Sequence, residues 1–188
     1  MRPVARVAGG QIEVSQAAAG EPPRLEGLPP VIAPTTRLVV LGSFPGEASL
    51  RAQQYYGHPS NHFWPLLGAI WQIDLRRLPY AERLDEIRRR GLGLWDVYAA
   101  CYREGSLDSA IRSPQPNDLQ RLAQLAPQLQ AVAHNGGESA RSMAVTRALG
   151  VEVLRLPSTS AANASWSFER KVDAWRAAFA RHGIAGSP

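Results

Sequence analysis

The sequence predicts an α/β protein whose mostly parallel sheet is covered by helices on both faces. Four short apolar runs of strand character recur along the chain, and the segments between them carry apolar residues at helical spacing. With 188 residues and 45% apolar content, the chain has enough material to bury one core, so one principal domain is expected.

Residues 1–34 are rich in Ala, Gly and Pro, and Pro22, Pro23, Pro29, Pro30 and Pro34 interrupt regular structure. They read as an extended or poorly ordered arm with at most a short strand at Ile12 to Val14, followed by the domain itself over 35–183. The first strand of that domain is Leu38 to Leu41, which ends at Gly42 and a Gly-Ser-Phe-Pro-Gly turn. Pro59 suits the first position of a helix whose apolar face is Phe63, Leu66, Leu67, Ile70 and Trp71. A second helix runs from Pro79 to Gly91, with Arg88, Arg89 and Arg90 as a solvated cationic end that complements the helix dipole. Leu92 to Tyr98 and Leu129 to His134 read as the second and third strands, separated by a helix bearing Leu119, Leu122 and Leu125 that Asn117 can cap. Ala140 to Leu149 is a short helix closed by Gly150, and Val151 to Leu156 is the fourth strand. Phe168, Val172, Trp175 and Phe179 define an amphipathic C-terminal helix.

Composition excludes several kinds of chemistry. Cys101 is the lone cysteine, which rules out an intrachain disulfide and any multi-cysteine zinc or iron–sulfur site. No metal or other cofactor is expected. Lys171 is the lone lysine, so an enzyme that attacks a sugar through a Schiff base has almost no amine to use. The formal charge of +5 permits an anionic partner such as nucleic acid. Apolar runs such as Arg37 to Gly42 and Ala144 to Leu156 fall short of the ~20 residues that span a membrane, and no signal-like segment opens the chain. A cytoplasmic monomer without a membrane partner is expected.

In open parallel sheets the ligand lies beyond the carboxyl ends of the strands, so the loops there should carry function. Two of these loops stand out. After the first strand come Gly42 to Leu50 and then Gln53 to Trp64, which supply tight turns, the aromatics Phe44, Tyr55 and Tyr56, and the polar residues His58 and Asn61. After the fourth strand come Pro157-Ser158-Thr159-Ser160-Ala161-Ala162-Asn163-Ala164-Ser165, small and polar residues unsuited to a core. An aromatic plane can stack on a base, a carboxamide can pair with a base edge or hold a water, and small turn residues let amides and hydroxyls approach phosphates. On composition alone these segments could equally be ordinary turns.

The segments LGSFPGEASL (Leu41 to Leu50), YYGHPSNHFW (Tyr55 to Trp64), GLWDV (Gly93 to Val97), REGSLDSAI (Arg103 to Ile111) and LPSTSAANAS (Leu156 to Ser165), with SFERK at Ser167 to Lys171, tell more. Together they resemble the uracil-DNA glycosylase superfamily over about residues 28–180, and within it the hypoxanthine-DNA (deoxyinosine) glycosylase branch. The resemblance implies a three-layer α/β/α sandwich with a central four-stranded parallel sheet, matching the strand count reached above. It also implies a monofunctional DNA glycosylase of base excision repair that flips a deaminated base, hypoxanthine favoured, from double- or single-stranded DNA and leaves an abasic site. Removal of uracil or a mismatched base, or a catalytically inactive nucleic-acid-binding module on the same fold, are the alternatives.

The mismatch-specific relatives carry Gly-Ile-Asn-Pro-Gly in the first motif, where the asparagine positions the attacking water. Here that position is Phe44, which cannot orient water. Asn61 is the candidate replacement as catalytic residue, although an asparagine there can equally brace the helix that follows. Gly42, Ser43, Phe44, Tyr56, Asp96 and His58 are the candidate base-binding residues. Tyr56 matches the relatives' stacking aromatic, and Asp96 stands where superfamily members place a base-reading side chain. A carboxyl there can accept from a purine N–H or, with its pKa raised by burial, donate toward the leaving base. Ser158, Thr159, Ser160 and Asn163 are the candidate contacts to the DNA backbone, while Asn135 and Gly136 shape the pocket floor.

Overall fold

A computed structural model describes residues 23–184. The possible strand at Ile12 to Val14 lies outside the described residues. In chain order the strands are β1 (Arg24–Glu26), β2 (Leu38–Gly42), β3 (Leu92–Asp96), β4 (Tyr98–Tyr102), β5 (Arg112–Pro116), β6 (Ala131–Asn135) and β7 (Glu152–Leu156). The α-helices are α1 (Glu47–Ala52), α2 (Phe63–Trp71), α3 (Tyr80–Arg89), α4 (Leu122–Leu125), α5 (Gly137–Ala140), α6 (Met143–Arg147) and α7 (Phe168–Ala180).

Strands β2, β3, β6 and β7 form the parallel sheet in the order β3-β2-β6-β7. Their apolar runs are continuous because helices cover both faces, as parallel sheets require. Leu38, Val40, Leu92, Leu94, Ala131 and Ala133 point to one face and pack with α2, Ile87 of α3 and the Val172, Trp175 and Phe179 face of α7. Val39, Leu41, Trp95 and Val132 point to the other face and pack against Leu119 and Leu122 at the start of α4. The result is a three-layer α/β/α sandwich.

Several boundaries depart from the sequence reading. The run Leu92 to Tyr98 is two strands, because the chain turns at Val97 and β4 leaves the parallel sheet for a second, antiparallel one ordered β1-β4-β5. Residues 24–31, read as part of the arm, dock on this framework: Arg24–Glu26 pairs with β4, Leu28 and Val31 are buried, and Val31 bridges Leu94 along the free edge of β3. Covering that edge removes exposed pairing groups from the sheet. The helix expected after Asn117 begins as a 3-10 turn capped by Asp118, whose side chain accepts from Gln120 N. Asn117 instead donates from Nδ2 to the Asp96 carbonyl at 2.9 Å, holding the end of β3. The segment 140–149 holds the last residue of α5, Ala140, and then the separate helix Met143–Arg147. A further helix, α1, lies inside the loop read as irregular after β2.

His134 of β6 is fully buried, with Nδ1 2.9 Å from Ser139 Oγ and Nε2 2.9 Å from Thr146 Oγ1, and Ser139 Oγ donates a hydrogen bond to the Leu41 carbonyl at 2.7 Å. Burial lowers the pKa of the His134 ring to about 4, against a weaker opposing contribution from Ser139. This neutral network ties β6 and α5 to β2 one residue before the Gly42 turn.

Candidate active site

All four parallel strands end in one cleft of about 950 Å³, whose lining includes Gly42 from β2, Asp96 from β3, Asn135 from β6 and Leu156 from β7. The chain leaves β2 for β3 on one side and later crosses to β6 on the other, so the cleft opens at the point where strand order reverses. That is the expected place for a ligand in an open parallel sheet.

Asp96 sits on its floor, 4% exposed, and its Oδ2 is sealed from solvent with no hydrogen-bond partner. Burial, reinforced by the nearby Asp108 and opposed by Arg103, raises its pKa to about 7. The backbone must come very close to make this floor. A methyl group on Gly42 would stand 2.3 Å from Asp96 Oδ1, so only glycine leaves the carboxyl where it is.

Asn135 knots the cleft together. Its Nδ2 donates to Tyr56 OH at 3.1 Å and to Thr159 Oγ1 at 3.0 Å, while its Oδ1 accepts from Thr159 N at 3.0 Å. Gly136 follows with φ +93°, and a side chain there would meet Ser158 Cβ at 2.9 Å. The loop after β7 can therefore close over the end of β6. Tyr56, itself at φ +53°, stacks its ring on Phe63 with centroids 3.9 Å apart and 21° between planes. One face is fixed by that contact, and the ring forms part of the cleft wall.

Other candidate residues take different parts. Phe44 was read as a possible stacking surface, but its ring is 6% exposed beneath the Arg103 guanidinium, 5.1 Å from centroid to Cζ. Arg103 is held there by donating to the Pro45 and Gly105 carbonyls, so Phe44 braces the first loop. Thr159 was expected to meet a phosphate. It is fully buried with its hydroxyl and amide both committed to Asn135, and its carbonyl accepts from His62 N, so it is an internal brace. Ser158, Ser160 and Asn163 do line the cleft. They are cross-linked by Ser160 N donating to Ser158 Oγ and Asn163 Nδ2 donating to Ser158 O.

Asn61 also lines the cleft, and its Oδ1 accepts from Phe63 N at 2.9 Å, bracing the start of α2. His58 Nδ1 accepts from Ser60 N at 3.1 Å, and His58 lines the cleft. Ser43 donates from Oγ to Asp108 Oδ1 at 2.6 Å. Lys171 is fully buried behind the loop, donating to the Ser160 carbonyl at 3.2 Å and standing 3.4 Å from His62 Nδ1. It is absent from the cleft lining.

The residues missed by sequence reasoning are Asp108, Arg103, Arg155 and the 106–109 turn. Asp108 and Arg103 belong to the segment Arg103 to Ile111, whose family likeness does not by itself show which side chains reach the cleft. Among the described residues, no group of three His, Cys, Asp or Glu side chains is placed to hold a metal ion. No helix among them is long and apolar enough to cross a membrane.

The cleft thus has an aromatic wall, a buried carboxyl and carboxamides at the strand ends of a three-layer sandwich. The family profile described as uracil DNA glycosylase superfamily matches residues 29–179. A hypoxanthine DNA glycosylase of Methanosarcina barkeri (strain Fusaro / DSM 804) is 42% identical over 156 residues, covering 83% of this chain and 98% of that protein. One from Methanosarcina acetivorans is 38% identical over the same length and the same shares. The solution NMR structure of a candidate uracil DNA glycosylase from Methanosarcina acetivorans superposes with a TM-score of 0.76 at 37% identity, covering 84% of this chain and 98% of its own. The chain belongs to the uracil DNA glycosylase superfamily. Its activity is that of a DNA glycosylase in base excision repair, with DNA as the substrate.

Proposed function

We propose that this chain is a monofunctional DNA glycosylase that extrudes a deaminated base into the cleft, hypoxanthine in preference to uracil, and hydrolyses its N-glycosidic bond. The observation that carries the reading of the base is Asp96: a buried carboxyl with an unpartnered oxygen on the cleft floor, its pKa raised to about 7. As a neutral acid it both accepts and donates, and so matches the N–H and C=O of a lactam edge such as N1 and O6 of hypoxanthine. Its proton lies where charge develops on the departing base, so the bond strengthens in the transition state. The names of the curated relatives support hypoxanthine over uracil.

Tyr56 stacks on the base, and the amides of Ser43 and Phe44 face its edge. Asn61 holds the water through the second lone pair of Oδ1; the water adds at C1′ as the electron pair of the C1′–N bond leaves on the base, Asp96 gives its proton to the departing base, and the proton released by the added water restores the Asp96 carboxyl. Ser158, Ser160, Asn163 and His58 Nε2, with Arg155 at the rim, meet the flanking phosphates. Lys171 is committed behind the loop, which supports hydrolysis without a Schiff base and without strand cleavage. The test is to incubate the protein with duplexes carrying hypoxanthine, uracil or xanthine and to cleave the abasic sites with alkali. Strand scission at hypoxanthine that depends on alkali is the expected result. No product from any lesion, or scission without alkali through a borohydride-trappable adduct, overturns the reading.

A further inference from the structure

Asn135 closes β6, and although it stands on the cleft lining its side chain is spent inside the protein. Both hydrogens of Nδ2 are given away, one to Tyr56 OH and one to Thr159 Oγ1, and Oδ1 accepts from Thr159 N. No amide hydrogen is left for a base or a phosphate, so Asn135 does not read a ligand as a donor. What it holds is more telling. Tyr56 sits at φ +53°, a left-handed conformation that a residue with a side chain keeps only where its surroundings impose it. Phe63 fixes one face of the Tyr56 ring, and Asn135 fixes its hydroxyl tip. That tip lies beside the carboxyl on the cleft floor: the methyl position on Gly42 that is 2.3 Å from Asp96 Oδ1 is 3.6 Å from Tyr56 OH.

Thr159 extends the reach of the same carboxamide in two directions. Its carbonyl accepts from His62 N at 2.9 Å, which fixes the residue next to Asn61 as the chain enters α2. Its chain neighbours are Ser158 and Ser160, and both line the cleft. Strands β6 and β7 pair in parallel with Asn135 beside Leu156, so the loop that leaves β7 begins next to this side chain. Through two partners, one side chain thus holds the aromatic wall, the Asn61 segment and the serines of the last loop in a fixed relation.

We propose that Asn135 is the positioning residue that sets Tyr56, Asn61 and the Ser158–Ser160 loop in the mutual arrangement excision needs; this rests on the roles assigned to those residues above. Its influence passes through Tyr56 OH and Thr159, and a double-mutant cycle detects that passage. Excision of hypoxanthine from duplex DNA is measured in single turnover at saturating protein for Asn135→Ala, for Tyr56→Phe and for the two combined. Affinity for a duplex with a tetrahydrofuran abasic site is measured beside it, and urea denaturation reports whether each variant folds. Asn135→Ala is expected to slow excision by about thirtyfold or more and to weaken binding of the abasic duplex by about threefold or more. Tyr56→Phe removes the hydroxyl and keeps the ring; it should slow excision about fivefold alone and less than about twofold when added to Asn135→Ala. A folded Asn135→Ala within about threefold of the unaltered rate, or losses that multiply in the double variant, overturns the proposal, because a residue that only supports the fold does not act through that hydroxyl. If Asn135→Ala does not fold, Tyr56→Phe and Thr159→Val carry the test, since each removes one oxygen to which Asn135 donates. Each should then slow excision severalfold, and unaltered rates in both overturn the proposal. An unaltered protein that excises nothing refutes the assigned chemistry. Binding of the abasic duplex then decides: weakened by Asn135→Ala, or by Tyr56→Phe and Thr159→Val, if the proposal holds, and unchanged if it fails.

Discussion

Replacing Asp96 by asparagine removes the titratable proton from the cleft floor while keeping a donor and an acceptor there. The magnitude follows from burial. Raising the carboxyl from 3.8 to about 7 makes the ionised form cost the native state about 4 kcal/mol, at about 1.4 kcal/mol for each tenfold change in proton affinity. The sign is that of a carboxyl with a raised native pKa: the folded protein holds the proton that the unfolded chain has lost. Stability is therefore surrendered as pH climbs from near 4 to near 7 and changes no further above that. In the variant this loss is absent, so its advantage over the unaltered protein should grow by about 3 kcal/mol between pH 5 and pH 8, read by urea denaturation. Activity should follow the same proton. In the unaltered protein kcat/KM falls about tenfold per pH unit above about 7, whereas Asp96→Asn gives a flat profile and overtakes it at high pH. An inactive Asp96→Asn, together with a rate in the unaltered protein that rises through pH 7, would make Asp96 a general base and refute the reasoning.

The remaining expectations concern the residues around that carboxyl. Gly42→Ala places a methyl group 2.3 Å from Asp96 Oδ1, and the flexible carboxyl must move; a stability loss of about 1–3 kcal/mol and a large fall in the excision rate are expected, and an unchanged single-turnover rate would show the fit to be unimportant. Asn61→Ala removes the bond to Phe63 N and should cost about 1 kcal/mol by thermal denaturation, with the chemical step slowed at least a hundredfold. A rate within threefold of the unaltered protein, with the stability loss present, would assign Asn61 to bracing α2 alone.

The central sheet was legible because a strand buried on both faces must be apolar at consecutive positions, as Val39, Val40 and Leu41 are. The antiparallel sheet was not. Its edge strand is Arg-Ser-Pro-Gln-Pro, exposed throughout, and backbone pairing to β4 rather than a side-chain pattern makes it a strand. The active site was legible as a set of loops, and Tyr56, Asp96 and Asn61 do line one cleft. The directions of individual side chains were not legible: Phe44 and Thr159 lie in the right segments, yet both turn inward to Arg103 and Asn135. A glycine- and serine-rich loop permits several orientations, and only its neighbours select one.

By itself, then, the sequence determined the layered α/β class, the family likeness and the chemistry ruled out by one cysteine and one lysine, because apolar periodicity and residue inventory are properties of the chain alone. The tertiary structure decided that burial pushes the Asp96 carboxyl up to about 7, that Tyr56 keeps its ring against Phe63, and that Leu107 stands exposed on the lining of the cleft. These depend on desolvation, on contact and on the absence of a partner. None of the three exists until residues far apart in the chain are brought together.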